Sequence, residues 1–190
     1  MLEPPEIDLC FAISATVVDS NDTFTLMKET INEVLENYGV GKIRYSVIVF
    51  GSQTRLELRF DSGITDPARL EAIFKSLGPQ GGDPVLDKAL KMALEAFNAS
   101  LTRPNARKVL VVMTDNVSVE LDQDQIRALV STLSKTYVRV IAVAVGDKAD
   151  GGRLKHAATD SRDVVSVPGS TTPTKLFKQV IELVLTGILT

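Results

Sequence analysis

The residues able to do chemistry are few. The chain holds one histidine and one cysteine. His156 follows Lys155, and the sequence places no serine or cysteine nucleophile beside it, so it reads as an ordinary surface or half-buried imidazole. Cys10 lies inside the apolar run of residues 7–13, where a thiol packs as a small inert hydrophobe. Gly81-Gly82 would suit a phosphate cradle. Neither Gly-x-x-x-x-Gly-Lys-Ser/Thr nor Gly-x-Gly-x-x-Gly accompanies it, so the pair reads as a turn. Asp8, Asp19 and Asp22 together would make an acidic cluster of the kind that serves phosphoryl transfer. Asp115, directly after the apolar run 109–113 and Thr114, is the best-placed single carboxylate. Three N-glycosylation acceptor triplets are present, Asn21-Asp22-Thr23, Asn98-Ala99-Ser100 and Asn116-Val117-Ser118. All three fall in expected loops or at helix ends, where a glycan is accommodated.

The elements that must position these residues follow from hydrophobic period. Residues 7–13 form an apolar strand. Phe24, Met27, Ile31, Val34, Leu35 and Tyr38 share one helical face, ended by Gly39. Residues 43–50 alternate, and after the Gly51-Ser52 turn residues 54–60 alternate again, with Leu56, Leu58 and Phe60 on one face. So short a connection predicts an antiparallel hairpin. Asp66-Pro67 opens a helix running to about Leu77, and Val85 to Phe97 is strongly amphipathic. Residues 107–114 and 137–145 are buried strands flanking a helix over 122–134. A short helix over 153–158, a short strand over 164–167 and a last helix from Thr174 complete the chain. The alternation predicts an α/β fold. A mostly parallel six-stranded sheet carries one antiparallel edge strand, with helices on both faces. In such a sheet, ligands bind beyond the carboxyl ends of the strands where strand order switches. Three segments lie there: 14–18, 81–84 and 114–116.

Composition narrows the function classes. The chain has 190 residues, 44% of them hydrophobic and 24% charged, which is ordinary globular usage. Length predicts one domain over residues 7–190, with 1–6, including Pro4-Pro5, as a linker segment. Lys plus Arg is 21 against 24 Asp plus Glu, a net charge of −3. This argues against nucleic acid as a partner. A lone cysteine excludes a disulfide scaffold. No apolar run reaches the ~20 residues that span a bilayer, so membrane insertion is not expected. The first residues lack the basic start and apolar core of a secretory signal.

The ordered segments carry a resemblance. Asp8 to Ile13, Phe24-x-x-Met27-Lys28, Arg44 to Phe50, Gly81-Gly82 followed by Ala89-Leu90, Val109 to Asp115 and Val140 to Gly146 together resemble the von Willebrand factor A domain. The match covers nearly the whole chain. Gly146, Ala149-Asp150, Leu154, Ala157 and Asp160 look most like the extracellular-matrix branch, collagen VI and matrilins in particular. The rival acidic-cluster reading resembles response-regulator receivers, which also need a lysine near Gly146-Asp147-Lys148. The antiparallel hairpin argues against it.

The resemblance implies a Rossmann-like fold and, in most active members, a divalent cation held by Asp-x-Ser-x-Ser, a Thr after the Gly-Gly loop and an Asp at the central strand's end. This sequence departs from that set. Ser14 stands at the first Asp, Thr16 at the first Ser, Val18 at the second Ser and Pro84 at the Thr; Asp115 alone matches in charge. Mg²⁺ demands hard oxygens in near-octahedral array, so the metal-ion-dependent adhesion site is expected to be degenerate and no cofactor is expected. Asp83, next to Pro84, is a possible substitute ligand, and Asp19 is another. The resemblance then implies a non-enzymatic protein-binding module of the extracellular matrix or cell surface, secreted as part of a larger chain. Its implied partners are matrix components such as collagens or neighbouring domains of the same type. The alternatives are an atypical cation site of Ser14, Thr16, Asp83 and Asp115 holding Mg²⁺ or Ca²⁺, and an intracellular scaffold of the same fold.

Overall fold

A computed structural model describes residues 5–16, 21–99, 103–115 and 122–186. Its sheet has six strands in the order β3-β2-β1-β4-β5-β6. These are β1 (Ile7–Ser14), β2 (Ile43–Phe50), β3 (Thr54–Leu58), β4 (Arg107–Thr114), β5 (Val138–Val145) and β6 (Val164–Val167). All neighbours pair in parallel except β2 with β3. The chain winds outward from β1 in one direction through β2 and in the other through β4, so strand order switches between β1 and β4. Six α-helices are described: α1 (Asn21–Tyr38), α2 (Pro67–Ser76), α3 (Leu86–Ala99), α4 (Gln123–Lys135), α5 (Gly151–Leu154) and α6 (Pro173–Thr186).

Strand alternation sorts the core into two layers. Leu9, Phe11 and Ile13 of β1 join Met27, Ile31, Phe74, Leu176 and Val180, so α1, α2 and α6 cover one face. Cys10 and Ala12 face the other way, with Ala142 and Ala144, toward α3 and α4. Small side chains on this second face let Leu90, Ala93, Ile126 and Leu133 approach the sheet closely.

Local chemistry sets the helix ends. The Asp66 carboxylate accepts from the Ala68 amide at 3.0 Å and Pro67 fills the first helical position of α2. Asp122 caps α4 by accepting from the amides of Asp124 and Gln125. The Lys28 ammonium donates to the Lys75 and Leu77 carbonyls at 2.8 and 2.7 Å, satisfying carbonyls at the end of α2. Burial there pulls the Lys28 pKa below its ordinary value.

Three expectations are corrected. The hairpin's second strand ends at Leu58, and register shifts between Val47 and Ile48, so Glu57 is an extra residue in a β-bulge. The bulge rotates the strand, sending Leu58 into the layer of α1, α2 and α6 while Leu56 and Phe60 pack on the opposite one. The short helix of residues 153–158 is instead α5 followed by a 3₁₀ turn over Lys155–Ala157, because Asp150 caps two residues earlier, accepting from the Gly152 amide at 2.8 Å. The last helix starts at Pro173, where a fixed φ suits a first turn.

Candidate functional site

The switch point places the ends of β1 and β4 side by side. Asp115, one residue past β4, is half-buried; Ser14 and Thr16, at and just past the end of β1, are buried. The Ser14 and Thr16 hydroxyls each donate to Asp115 Oδ1 at 2.8 Å. Thr23, in the first turn of α1, donates to Oδ2 at 3.0 Å. The Asp115 amide donates back to Ser14 Oγ at 3.2 Å. A carboxylate offers about four acceptor positions, and three hydroxyls fill most of them with charge-assisted bonds.

The surrounding backbone is equally committed. Ala15 donates to the Phe50 carbonyl at 2.8 Å, and its own carbonyl accepts from the amides of Gln80 and Gly81 at 2.8 and 3.0 Å. This ties the Gly-Gly loop to β1. Gly81 and Gly82 have φ of +70° and +77°. A Cβ on Gly82 would come within 2.6 Å of the Ser52 Cβ, so the pair makes a close turn and Gly81 spends its amide on protein. On the far side, a Cβ on Gly146, with φ +94°, would meet the Thr23 methyl at 3.4 Å. A bare glycine at the end of β5 therefore gives Thr23 room to stand over Asp115.

Asp83 is exposed, and Pro84 is buried with no side-chain oxygen to offer. Val18, Asp19 and Asn116 fall outside the described residues. Asp8 sits at the opposite, amino-terminal end of β1, fully buried. There Arg44 donates to both its oxygens at 2.9 and 2.7 Å, and Arg103 donates to Oδ1 at 2.9 Å. Asp8 is thus a structural anion, and the length of β1 separates it from Asp22, which overturns the acidic-cluster reading. Cys10 is fully buried beside Ser46, and burial pushes its thiol up to about 12, far from a reactive thiolate. His156 is half-buried and accepts a bond at Nδ1 from Arg127 Nε at 3.1 Å. Desolvation, then the Arg127 and Lys155 charges, lowers its pKa. Asn98 is exposed in the last turn of α3, and Asn21 begins α1. Two concavities of about 230 Å³ each both include Phe60 and lie at the amino-terminal end of the sheet, remote from Asp115.

As a donor set for a divalent cation, the hydrogen-bonded cluster presents one carboxylate, already shared among three hydroxyls. No group of three or more His, Cys, Asp or Glu side chains converges among the described residues. Mg²⁺ and Ca²⁺ draw affinity from carboxylate charge and ligand count, so this set is a poor match to either.

Sequence reasoning did not single out Thr23 as part of this cluster. A helix that follows the first strand of a doubly wound sheet starts at the strand's carboxyl end, so hydroxyls in its first turn face the switch point. That rule would have selected Thr23.

The family model for the von Willebrand factor type A domain matches residues 8–179. The chain belongs to that family. Domains of this family are interaction modules that bind other proteins, and they are generally not enzymes. A mouse relative, von Willebrand factor A domain-containing protein 1, is 29% identical over 147 residues, covering 75% of this chain and 34% of its own length. Among solved structures, proximal thread matrix protein 1 from the mussel byssus superposes with a TM-score of 0.84 at 20% identity, over 96% of this chain and 49% of that one. Another structure of the same mussel protein, described with a zinc-occupied MIDAS motif, has a TM-score of 0.81 at 17% identity and covers 96% and 46% of the two chains. The bacterial protein BatB from Bacteroides thetaiotaomicron has a TM-score of 0.71 at 13% identity, covering 94% and 98%. These low identities speak to the fold. The chain spans about a third of the mouse relative and about half of the mussel chains. No helix among the described residues is long and apolar enough to cross a membrane.

Proposed function

We propose that this von Willebrand A domain, over residues 7–190, is a non-enzymatic binding module for extracellular-matrix assembly or cell adhesion that engages its partner without a bridging cation. The observation carrying the reading is that the Asp115 carboxylate is filled by the Ser14, Thr16 and Thr23 hydroxyls. In this reading the hydroxyls hold together the ends of β1, β4 and α1, work that a cation performs in metal-dependent members. The partner is a matrix component such as a collagen or a neighbouring domain of the same type. Binding energy comes from buried surface and direct hydrogen bonds. The matrix setting draws on the extracellular-matrix resemblance of residues 146–160 and on the likeness to a byssus matrix protein.

The test is titration of the metal-stripped chain with Mg²⁺, Ca²⁺ and Mn²⁺ by calorimetry, with thermal melts in parallel. A micromolar site at millimolar metal would add about 4 kcal/mol, or roughly 10 °C in a domain of this size. The expected result is no binding heat and no melting shift, with collagen binding unchanged in chelator. A shift abolished by Asp115→Ala would overturn the cation-free reading.

A further inference from the structure

We infer that the open edge of β3 pairs antiparallel with β3 of a second copy of this chain, about a two-fold axis at Leu56. Pairing at this edge does not depend on how Asp115 is used. β3 is the outer strand of the sheet and is bonded on one side only, to β2. Backbone direction alternates along β2. The Phe50 carbonyl points toward β1, where it accepts from the Ala15 amide at 2.8 Å, while the Gly51 amide turns the other way, to the Gln53 carbonyl at 2.9 Å. Even-numbered residues at this end of β2 therefore bond toward β1 and odd-numbered ones toward β3. Ile48 stands opposite Leu56, and Phe50 opposite Thr54, so these are the pairs that exchange no ladder bonds. The N–H and C=O groups of Thr54 and Leu56 consequently point outward from the edge. Among the described residues, no backbone group outside the sheet bonds to them.

The side chains of this edge suit a second copy. In an antiparallel pair centred on Leu56, the two Leu56 residues exchange both of their outward backbone bonds. Arg55 of each copy then lies opposite Glu57 of the other. Both side chains are exposed, and within one chain Arg55 Nε bonds Glu57 Oε1 at 2.9 Å, so they share a face. Pairing therefore builds a square of four alternating charges. Opposite charges facing each other across strands favour a pair, and like charges oppose it. On the other face, Leu56 lines an apolar groove with Phe60, Met92 and Ala96. The two-fold joins two such grooves into one trough between the two α3 helices, which covers apolar surface left open in a single chain. The bulge at Glu57 ends the regular ladder just past Leu56, so the contact is short. A two-fold uses the β3 edge of both copies, so assembly there stops at a dimer.

Sedimentation of the 190-residue chain, from micromolar to near-millimolar concentration, tests the pairing. A monomer–dimer equilibrium that weakens with added salt is expected. Amide hydrogen exchange gives the residue-level reading without any substitution. The Leu56 amide, open in the monomer, should slow as concentration rises, toward the rate of the Arg55 amide that β2 already protects. Arg55→Glu or Glu57→Arg should each weaken the dimer about tenfold, with the melting temperature of dilute protein unchanged. The double variant R55E/E57R should restore it, and the two single variants should pair with each other when mixed. A chain that stays monomeric at every concentration overturns the inference. So does a dimer whose Leu56 amide exchanges as fast as in the monomer, a dimer indifferent to both charge reversals, or single-variant losses that neither the double variant nor mixing repairs.

Discussion

Removing the Asp115 carboxylate strands three hydroxyls at once. Asp115→Ala leaves the buried Ser14 and Thr16 donors without their acceptor, and should cost about 3 kcal/mol in urea unfolding at neutral pH. Asp115→Asn keeps one acceptor oxygen and should cost less than half as much. A second expectation concerns pH. The folded state holds the Cys10 thiol at about 12, against an ordinary value of 9.0, and burial also raises the Tyr45 phenol. A raised folded pKa favours the protonated form. Its contribution is complete below pH 9 and is lost as pH rises toward 12, at about 1.4 kcal/mol per pH unit per group. Denaturant melts should show this decline, and Cys10→Ala should flatten it between pH 9 and 10. At this scale Ser14, Thr16 and Asp115 were legible because strand ends and the family's loop order locate them. Thr23 was not, because its contact depends on how α1 is aimed, and no short-range spacing encodes that.

The turn between α4 and β5 shows what an element tolerates. Tyr137 has φ of +63° and is 89% exposed, at the helix end where Gly or Asn is usual. Its amide donates to the Ser134 carbonyl at 2.9 Å, which fixes the backbone. Relief of the left-handed conformation in Tyr137→Gly should raise stability by about 1 kcal/mol, read as an upward shift in melting temperature of a few degrees. Strands β2, β4 and β6 were readable to the residue, since short β-branched or alternating runs bounded by turns and helices leave little choice of ends. The β3 bulge was not. An inserted residue leaves the Leu56, Leu58, Phe60 spacing intact while turning Leu58 to the other face, so alternation alone cannot report it.

The whole molecule is fastened at both ends of its sheet by opposite devices. Hydroxyls close on a carboxylate at the carboxyl end, and an ion triad closes the amino end. Asp8→Ala would leave Arg44 and Arg103 facing each other over a buried void, and should cost about 3–5 kcal/mol, measured by urea unfolding at fixed ionic strength. A mostly parallel sheet with one antiparallel edge strand was legible because strands alternate with helices and one connection is too short for a crossover. The triad was not, since Asp8 and Arg103 are far apart in sequence and no local pattern joins them. A third fastening ties down the last helix. Arg139 on β5 donates to the Leu183 carbonyl and pairs with Asp163, and Arg107 at the start of β4 donates to the Leu185 carbonyl at 3.1 Å. A pull on the end of α6 would therefore have to break two guanidinium–carbonyl bonds, one to β4 and one to β5, before the last turn of the helix could leave the sheet.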